Sequence, residues 1–246
     1  MTSLVDSIPL DVFPLEQLVA LRNVLRIRAY RRMTQAFQTA KSVLFDDRSR
    51  LVFFSDLHRG DNSRADAFSQ NETLFVEALR HYHRRGFTYV EVGDGDELWQ
   101  NRRLDVVKRA HRRTFDMLHS FAAEDRLHLI FGNHDIQGFQ RRKMKKDGLT
   151  AHEGLILRHA RTDQQIFVVH GHQVDFKSDG LYRVSRLIIR HFWRHIQNLG
   201  ITDVASTIGE SRNRGTLRQR VSEWIETHKQ MVICGHTHTP KFPAID

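Results

Sequence analysis

The sequence predicts an α/β fold whose working end is the set of loops that follow its strands. Two observations carry this. Short apolar runs alternate with longer stretches in which apolar residues recur at helical spacing. Five of the runs also stop at Asp, Asn or His: Ser55-Asp56-Leu57-His58, Gly93-Asp94-Gly95-Asp96-Glu97, Gly132-Asn133-His134-Asp135, His170-Gly171-His172 and Gly235-His236-Thr237-His238. In open α/β sheets ligands bind outside the carboxyl ends of the strands, so the five junctions are expected to converge.

The elements follow in order. Residues 15–43 carry Leu18, Leu21, Leu25, Met33 and Phe37 at mostly helical intervals, with arginines between, and read as a long amphipathic helix. Residues 51–54 are four apolar residues in a row, short enough for a buried strand. Alternation along an extended chain would point Asp56 and His58 to the same side. Residues 71–82 read as a helix, 89–92 as a strand, 104–121 as a helix with a basic outer face and 127–131 as a strand. The tract 137–147 is polar and strongly basic. Residues 156–158 and 166–169 read as strands, 181–199 and 216–228 as helices, and 231–234 as the last strand.

Length and composition bound the answer. A chain of 246 residues fits one large domain, with or without an insertion, and 40% apolar content supports a substantial core. A net charge of +9 favours anionic partners (phosphate esters, nucleic acid or an anionic membrane) without choosing among them. The single cysteine, Cys234, excludes a disulfide within the chain and is expected to be a small buried apolar residue. No apolar run approaches a membrane span, and residues 1–13 lack the pattern of a signal peptide, so a cytoplasmic location is expected.

Asp94, Asp96 and Glu97 crowd three carboxylates into four residues at a glycine turn, where they repel one another unless a positive charge holds them. Read singly, each junction is weak: Asp-x-His after a strand is more often a turn with a surface histidine, and Gly, Asn and Asp all favour turns. Five together point to a metal centre around Asp94 with two ions. Histidine and carboxylate donors suit manganese, iron, zinc, cobalt or nickel.

In this order the five blocks match those of calcineurin-like metallophosphoesterases, and the chain resembles that family over residues 51–240. The resemblance implies a four-layer αββα sandwich in one domain, residues 1–246, with a helical insertion or lid at 173–230. It assigns one ion to Asp56, His58, Asp94 and His238, and the second to Asp94, Asn133, His170 and His236, with Asp94 bridging both. His134 would stand beside the substrate as general acid, with Asp135 orienting its ring. Three positions depart from the family's pattern. Glu97 replaces the usual Asp of the second block, Asp96 is an additional acid able to compete as a ligand or orient a neighbour, and His172 replaces an Asp found in several relatives. Glu97 and His172 are substrate-facing candidates. Only eight residues follow His238, so either the chain is truncated or its second sheet is closed by the N-terminal region.

The implied function is hydrolysis of a phosphate monoester or diester. Two divalent transition-metal ions, manganese before the others, would activate the attacking hydroxide, and His134 would protonate the leaving oxygen. An alternative is pyrophosphohydrolysis of a lipid-linked nucleotide, because UDP-2,3-diacylglucosamine hydrolases are similar in carrying a helical insertion where residues 173–230 lie. A non-catalytic metal scaffold is opposed by the presence of His134. A nucleic-acid-binding protein is supported by charge alone, and no specific nucleic-acid binding is expected. Residues 181–199 combine an apolar stripe with a ridge of Arg183, Arg186, Arg190 and Arg194, read as a lid helix. The alternative is a helix at an anionic surface, giving a peripheral contact with the inner membrane or with a lipid substrate.

Overall fold

Two sheets lie face to face between two layers of helix. The computed structural model describes residues 15–101, 103–136, 145–175 and 206–238. The expected helix at 181–199 lies outside the described residues. No helix among the described residues is long and apolar enough to cross a membrane.

One sheet has five strands: β2 (Leu51–Phe54), β3 (Thr88–Val92), β4 (Leu127–Ile130), β5 (Lys145–Lys146) and β6 (Leu149–His152), in the order β2-β3-β4-β6-β5. All pairings are parallel except β5 with β6. The other has four: β1 (Lys41–Phe45), β7 (Gly154–His159), β8 (Gln165–Val169) and β9 (Met231–Cys234), in the order β1-β7-β8-β9. Here β1 runs parallel to β7 and β8 parallel to β9, whereas β7 and β8 are antiparallel. Parallel pairing of β2, β3 and β4, and of β8 with β9, brings the carboxyl ends within each sheet to one edge.

The two-residue period of a strand divides the core into layers. Val90 and Val92 of β3, Ile130 of β4 and Val168 of β8 point between the sheets and meet Leu155 and Leu157 of β7. The alternate residues Tyr89 and Leu129 point outward, onto α2 (Glu72–Arg84) and α4 (Arg112–Ala123), which bury Phe75, Leu79, Phe115, Leu118 and Phe121 at three- and four-residue spacing. A short helix, α3 (Leu104–Ala110), adds Val107. On the far side Phe167 and Val169 of β8 meet α1 (Leu15–Gln38) and α5 (Ser206–His228) through Ala29, Met33, Leu217 and Trp224. The Trp224 indole N–H donates to Thr34 Oγ1 at 3.0 Å, so even its polar atom is satisfied. Each fully buried large apolar side chain contributes about 1.5–3 kcal/mol. The layers therefore run helix, sheet, sheet, helix, as the αββα reading requires.

Four sequence expectations change. The helix expected at 104–121 is two, α3 and α4, broken at His111. The long helix ends at Gln38, and residues expected to continue it form β1, which closes the four-stranded sheet on its N-terminal side. The helix expected at 216–228 begins at Ser206, and its later turns belong to the outer helical layer through Leu217 and Trp224. Cys234 is exposed, because β9 is the edge strand of its sheet among the described residues.

Candidate metal centre

The loops leaving the strands turn sharply. Asp56, His58, Asp94, His236 and His238 all adopt left-handed backbone, with φ of 55°, 50°, 50°, 70° and 49°. Such a conformation costs an L-residue roughly 1–2 kcal/mol, and strained backbone collects at functional sites. β2 already ends at Phe54, so Asp56 and His58 are brought together by these turns and not by alternation along a strand. Backbone hydrogen bonds lock the loops: Asp56 N–H donates to Gly93 O at 3.1 Å and His58 N–H to Asp94 O at 2.9 Å. Two glycines allow the closest approaches. A Cβ on Gly132 would stand 2.0 Å from Asp94 Oδ1, and one on Gly235 would stand 1.9 Å from Ser55 Oγ and 2.6 Å from Asp56 Oδ2.

Asp56, His58 and His238 form one cluster whose ligand atoms all lie within 4.8 Å of one another. His58 donates Nδ1–H to Glu97 Oε2 at 3.0 Å, which turns Nε2 into the site. There it faces His238 Nε2 at 3.3 Å, and His238 Nε2 is also 3.3 Å from Asp56 Oδ1. The Asp56 carboxylate accepts the His236 N–H at 2.9 Å. Burial pushes the Asp56 carboxyl up, but the hydrogen bond from His238 and the nearby His170 outweigh it and hold it at about 2.

Asp94, His170 and His236 form a second cluster of the same kind. His170 donates Nδ1–H to Val92 O at 2.9 Å, leaving Nε2 for the site, 3.1 Å from Asp94 Oδ2. His236 Nε2 meets Asp175 Oδ2 at 3.1 Å, which leaves its Nδ1 available. Asp94 Oδ1 accepts the His134 N–H at 2.8 Å. Asn133 Oδ1 is buried and makes no hydrogen bond among the described residues.

These donors fit divalent cations. Both clusters join imidazole nitrogen to carboxylate oxygen, and Asn133, next in the chain to the His134 whose N–H Asp94 accepts, has a buried amide oxygen with no hydrogen bond among the described residues. The field also calls for positive charge. Burial opposes protonation of His58 and His170, yet Glu97 beside the first and Asp94 beside the second raise both to about 9.

His134 is held on three sides. Its Nδ1–H donates to Glu97 Oε2 at 2.8 Å, Trp99 stacks on one face with centroids 4.0 Å apart, and the His58 ring stands perpendicular to it with centroids 4.7 Å apart. Glu97 thus serves His58 and His134 with one oxygen. Its other oxygen accepts the Trp99 N–H at 3.0 Å. This corrects two expectations. Glu97 is buried and orients two histidines; Asp135 makes no hydrogen bond to His134. The buried Asp135 carboxylate instead accepts the Gly132 N–H at 2.7 Å and the Gly95 N–H at 3.0 Å, tying together the loops of Asn133 and Asp94.

His172 is a further correction. A turn at Gly171, with φ of 106°, leads into a single 3-10 turn, His172–Val174, that folds the imidazole inward beside Phe131 and His170. It is buried, and burial together with the nearby His170 and His236 pushes its pKa well below the usual histidine value. Asp96 does not compete for metal either. Its Oδ1 accepts Arg59 Nε–H at 2.7 Å, and its Oδ2 lies 2.7 Å from Lys146 Nζ.

Sequence reasoning missed Arg59, Trp99, Lys146 and Asp175. Arg59 directly follows His58 and Trp99 lies two residues after Glu97, so adjacency to the blocks was an available signal. Nothing local distinguishes Lys146 from its basic neighbours.

A family model described as calcineurin-like phosphoesterase matches residues 49–240. No curated protein and no solved structure matches the chain.

Proposed function

This chain belongs to the calcineurin-like phosphoesterase family, and from that premise we propose that it hydrolyses phosphate esters at a centre of two divalent cations. The observation that supports this best is that two of the three such clusters among the described residues, Asp56–His58–His238 and Asp94–His170–His236, hold the expected ligands, while Asn133 Oδ1 is buried and unsatisfied. Asp94 belongs to the second cluster, its backbone carbonyl accepts the N–H of His58 from the first, and its two carboxylate oxygens would allow it to serve both cations. Asp56, His58 and His238 would hold the first ion; Asn133, His170 and His236 would hold the second. Bound cations of this kind supply Lewis-acid polarisation of phosphoryl oxygens and acidify water.

The chain's own groups do the rest. Glu97 and Val92 O fix the tautomers of His58 and His170 by accepting their Nδ1–H, so both Nε2 lone pairs face inward. With Nδ1 on Glu97, the free nitrogen of His134 is Nε2, from which it protonates the leaving oxygen. The Glu97 carboxylate stabilises the imidazolium that must carry this proton, and Trp99 shields one ring face from water. The mixed imidazole, carboxylate and amide donors suit manganese, iron, zinc, cobalt or nickel.

The test is a panel of phosphate monoesters, diesters and pyrophosphates assayed with the chelated protein reloaded with Mn²⁺, Fe²⁺ or Zn²⁺. Metal-dependent release of phosphate or alcohol from one class is expected. No turnover with any metal overturns the reading and leaves a non-catalytic scaffold.

A further inference from the structure

Behind the metal centre lie five ionisable side chains with almost no exposure: Arg59, Glu91, Asp96, Asp135 and Lys146. Arg59 spans Glu91 with two hydrogen bonds of 2.7 and 2.8 Å and donates a third to Asp96 at 2.7 Å. Lys146 Nζ lies 2.7 Å from Asp96 Oδ2, 3.5 Å from Glu91 Oε1 and 3.7 Å from Asp135 Oδ2. Charged groups this deep are retained only when paired, and each belongs to a different part of the site. Arg59 follows His58, Asp96 lies two residues past Asp94, and Asp135 lies two past Asn133. Lys146 arrives from elsewhere, on the β5–β6 hairpin that flanks β4.

We propose that Lys146 is a positioning residue for the metal centre: through Asp96 and Asp135 it fixes the spacing between the Asp94 loop and the Asn133 loop. The mechanical link is short. Asp135 holds the N–H groups of Gly95 and Gly132, the glycines next to Asp94 and Asn133. Gly132 packs so tightly on Asp94 that no Cβ fits between them. Among the described residues Lys146 Nζ is the one group that reaches both carboxylates, so removing it takes away the tie shared by Asp96 and Asp135 and loosens the two loops they pin. A neighbouring lysine provides a control. Lys108 ties the same hairpin from outside, with Nζ 2.6 Å from Asp147 Oδ1, and touches no part of the cluster.

This assignment rests on the metal-binding reading of the site, so the experiment has two readouts. The first is Mn²⁺ affinity of the full chain by calorimetry; the second is amide hydrogen exchange of the metal-free protein over residues 93–97 and 131–135. Lys146→Met is expected to weaken Mn²⁺ binding roughly 10- to 100-fold, the usual effect of losing an outer-shell partner. It should also speed exchange at both loops while the α2 amides stay protected. Lys146→Arg should recover most of both, and Lys108→Met should match wild type. If Lys146→Met does not fold, Lys146→Gln takes its place with the same expectations. Wild-type affinity and unchanged loop exchange in the Lys146 variant would overturn the proposal, as would equal effects from Lys108→Met. Should the wild-type protein bind no divalent metal, the functional reading falls, while loop exchange still decides whether Lys146 positions the two loops.

Discussion

Trp99 lies flat against His134, ring planes 15° apart, and its indole N–H donates to Asn133 O at 2.7 Å. One side chain therefore sets both the plane of the candidate acid and the backbone of a candidate metal ligand. Trp99→Leu should lower kcat roughly 10- to 100-fold by misplacing the ring. Bound metal should stay near wild type, because the N–H groups on either side of Asn133, those of Gly132 and His134, remain held by Asp135 and Asp94. The defect should shrink for p-nitrophenyl esters, whose leaving group needs little protonation. Steady-state kinetics with good and poor leaving groups checks this; an equal loss for both would remove His134 from the acid role.

Asp94→Ala should remove more than one equivalent of Mn²⁺ per chain, measured by mass spectrometry of the reloaded protein, if Asp94 bridges the two ions as proposed from its place in the second cluster and its backbone bond to His58 of the first. Asp96 cannot substitute, because it is committed to Arg59 and Lys146. Full occupancy in the variant would disprove the bridging role.

His111 and Asp66 tie the segment after the first block to the helical layer, His111 Nε2 meeting Asp66 Oδ2 at 2.7 Å with Glu72 Oε2 3.2 Å from the other nitrogen. Burial disfavours the charged imidazole, but Asp66 and Glu72 outweigh it and raise its pKa. Burial likewise raises Asp66, and His111 together with the Asn62 N–H outweighs it, lowering the carboxyl. The signs follow. The His111 contribution is complete below the unfolded value of about 6.5 and is lost as pH rises through the raised folded value. The Asp66 contribution is present above about 3.9 and is lost as pH falls through the lowered one. His111→Gln should therefore cost roughly 1.5–3 kcal/mol near pH 5.5 and clearly less near pH 9. Denaturant unfolding at the two pH values measures this, and an equal cost at both would refute the charged pair.

Strands that end in a ligand loop were legible because an apolar run stops abruptly at Gly, Asp or His, as at Val92, Ile130 and Val169. β1 was not: it begins with exposed Lys41 and Ser42 and follows the helix with no Gly or Pro between. The two acids near His134 could not be separated by spacing alone. Asp135 is next to His134 in the chain and Glu97 lies 37 residues before it, yet turn geometry sends Glu97 to the ring and Asp135 to two backbone amides. Lys146 stands in a run of basic residues, where a solvated surface is the ordinary reading, and its burial depends on strand pairing far along the chain.

The family match begins at residue 49, downstream of α1 and β1. A recombinant fragment trimmed to that boundary would lose the strand paired with β7 and the helix over Phe167 and Trp224. It would present to solvent an open strand edge next to an uncovered apolar face, the combination that drives chains to associate through their sheets. The trimmed protein would be recovered as aggregate, and its inactivity could be mistaken for a defect in the metal ligands.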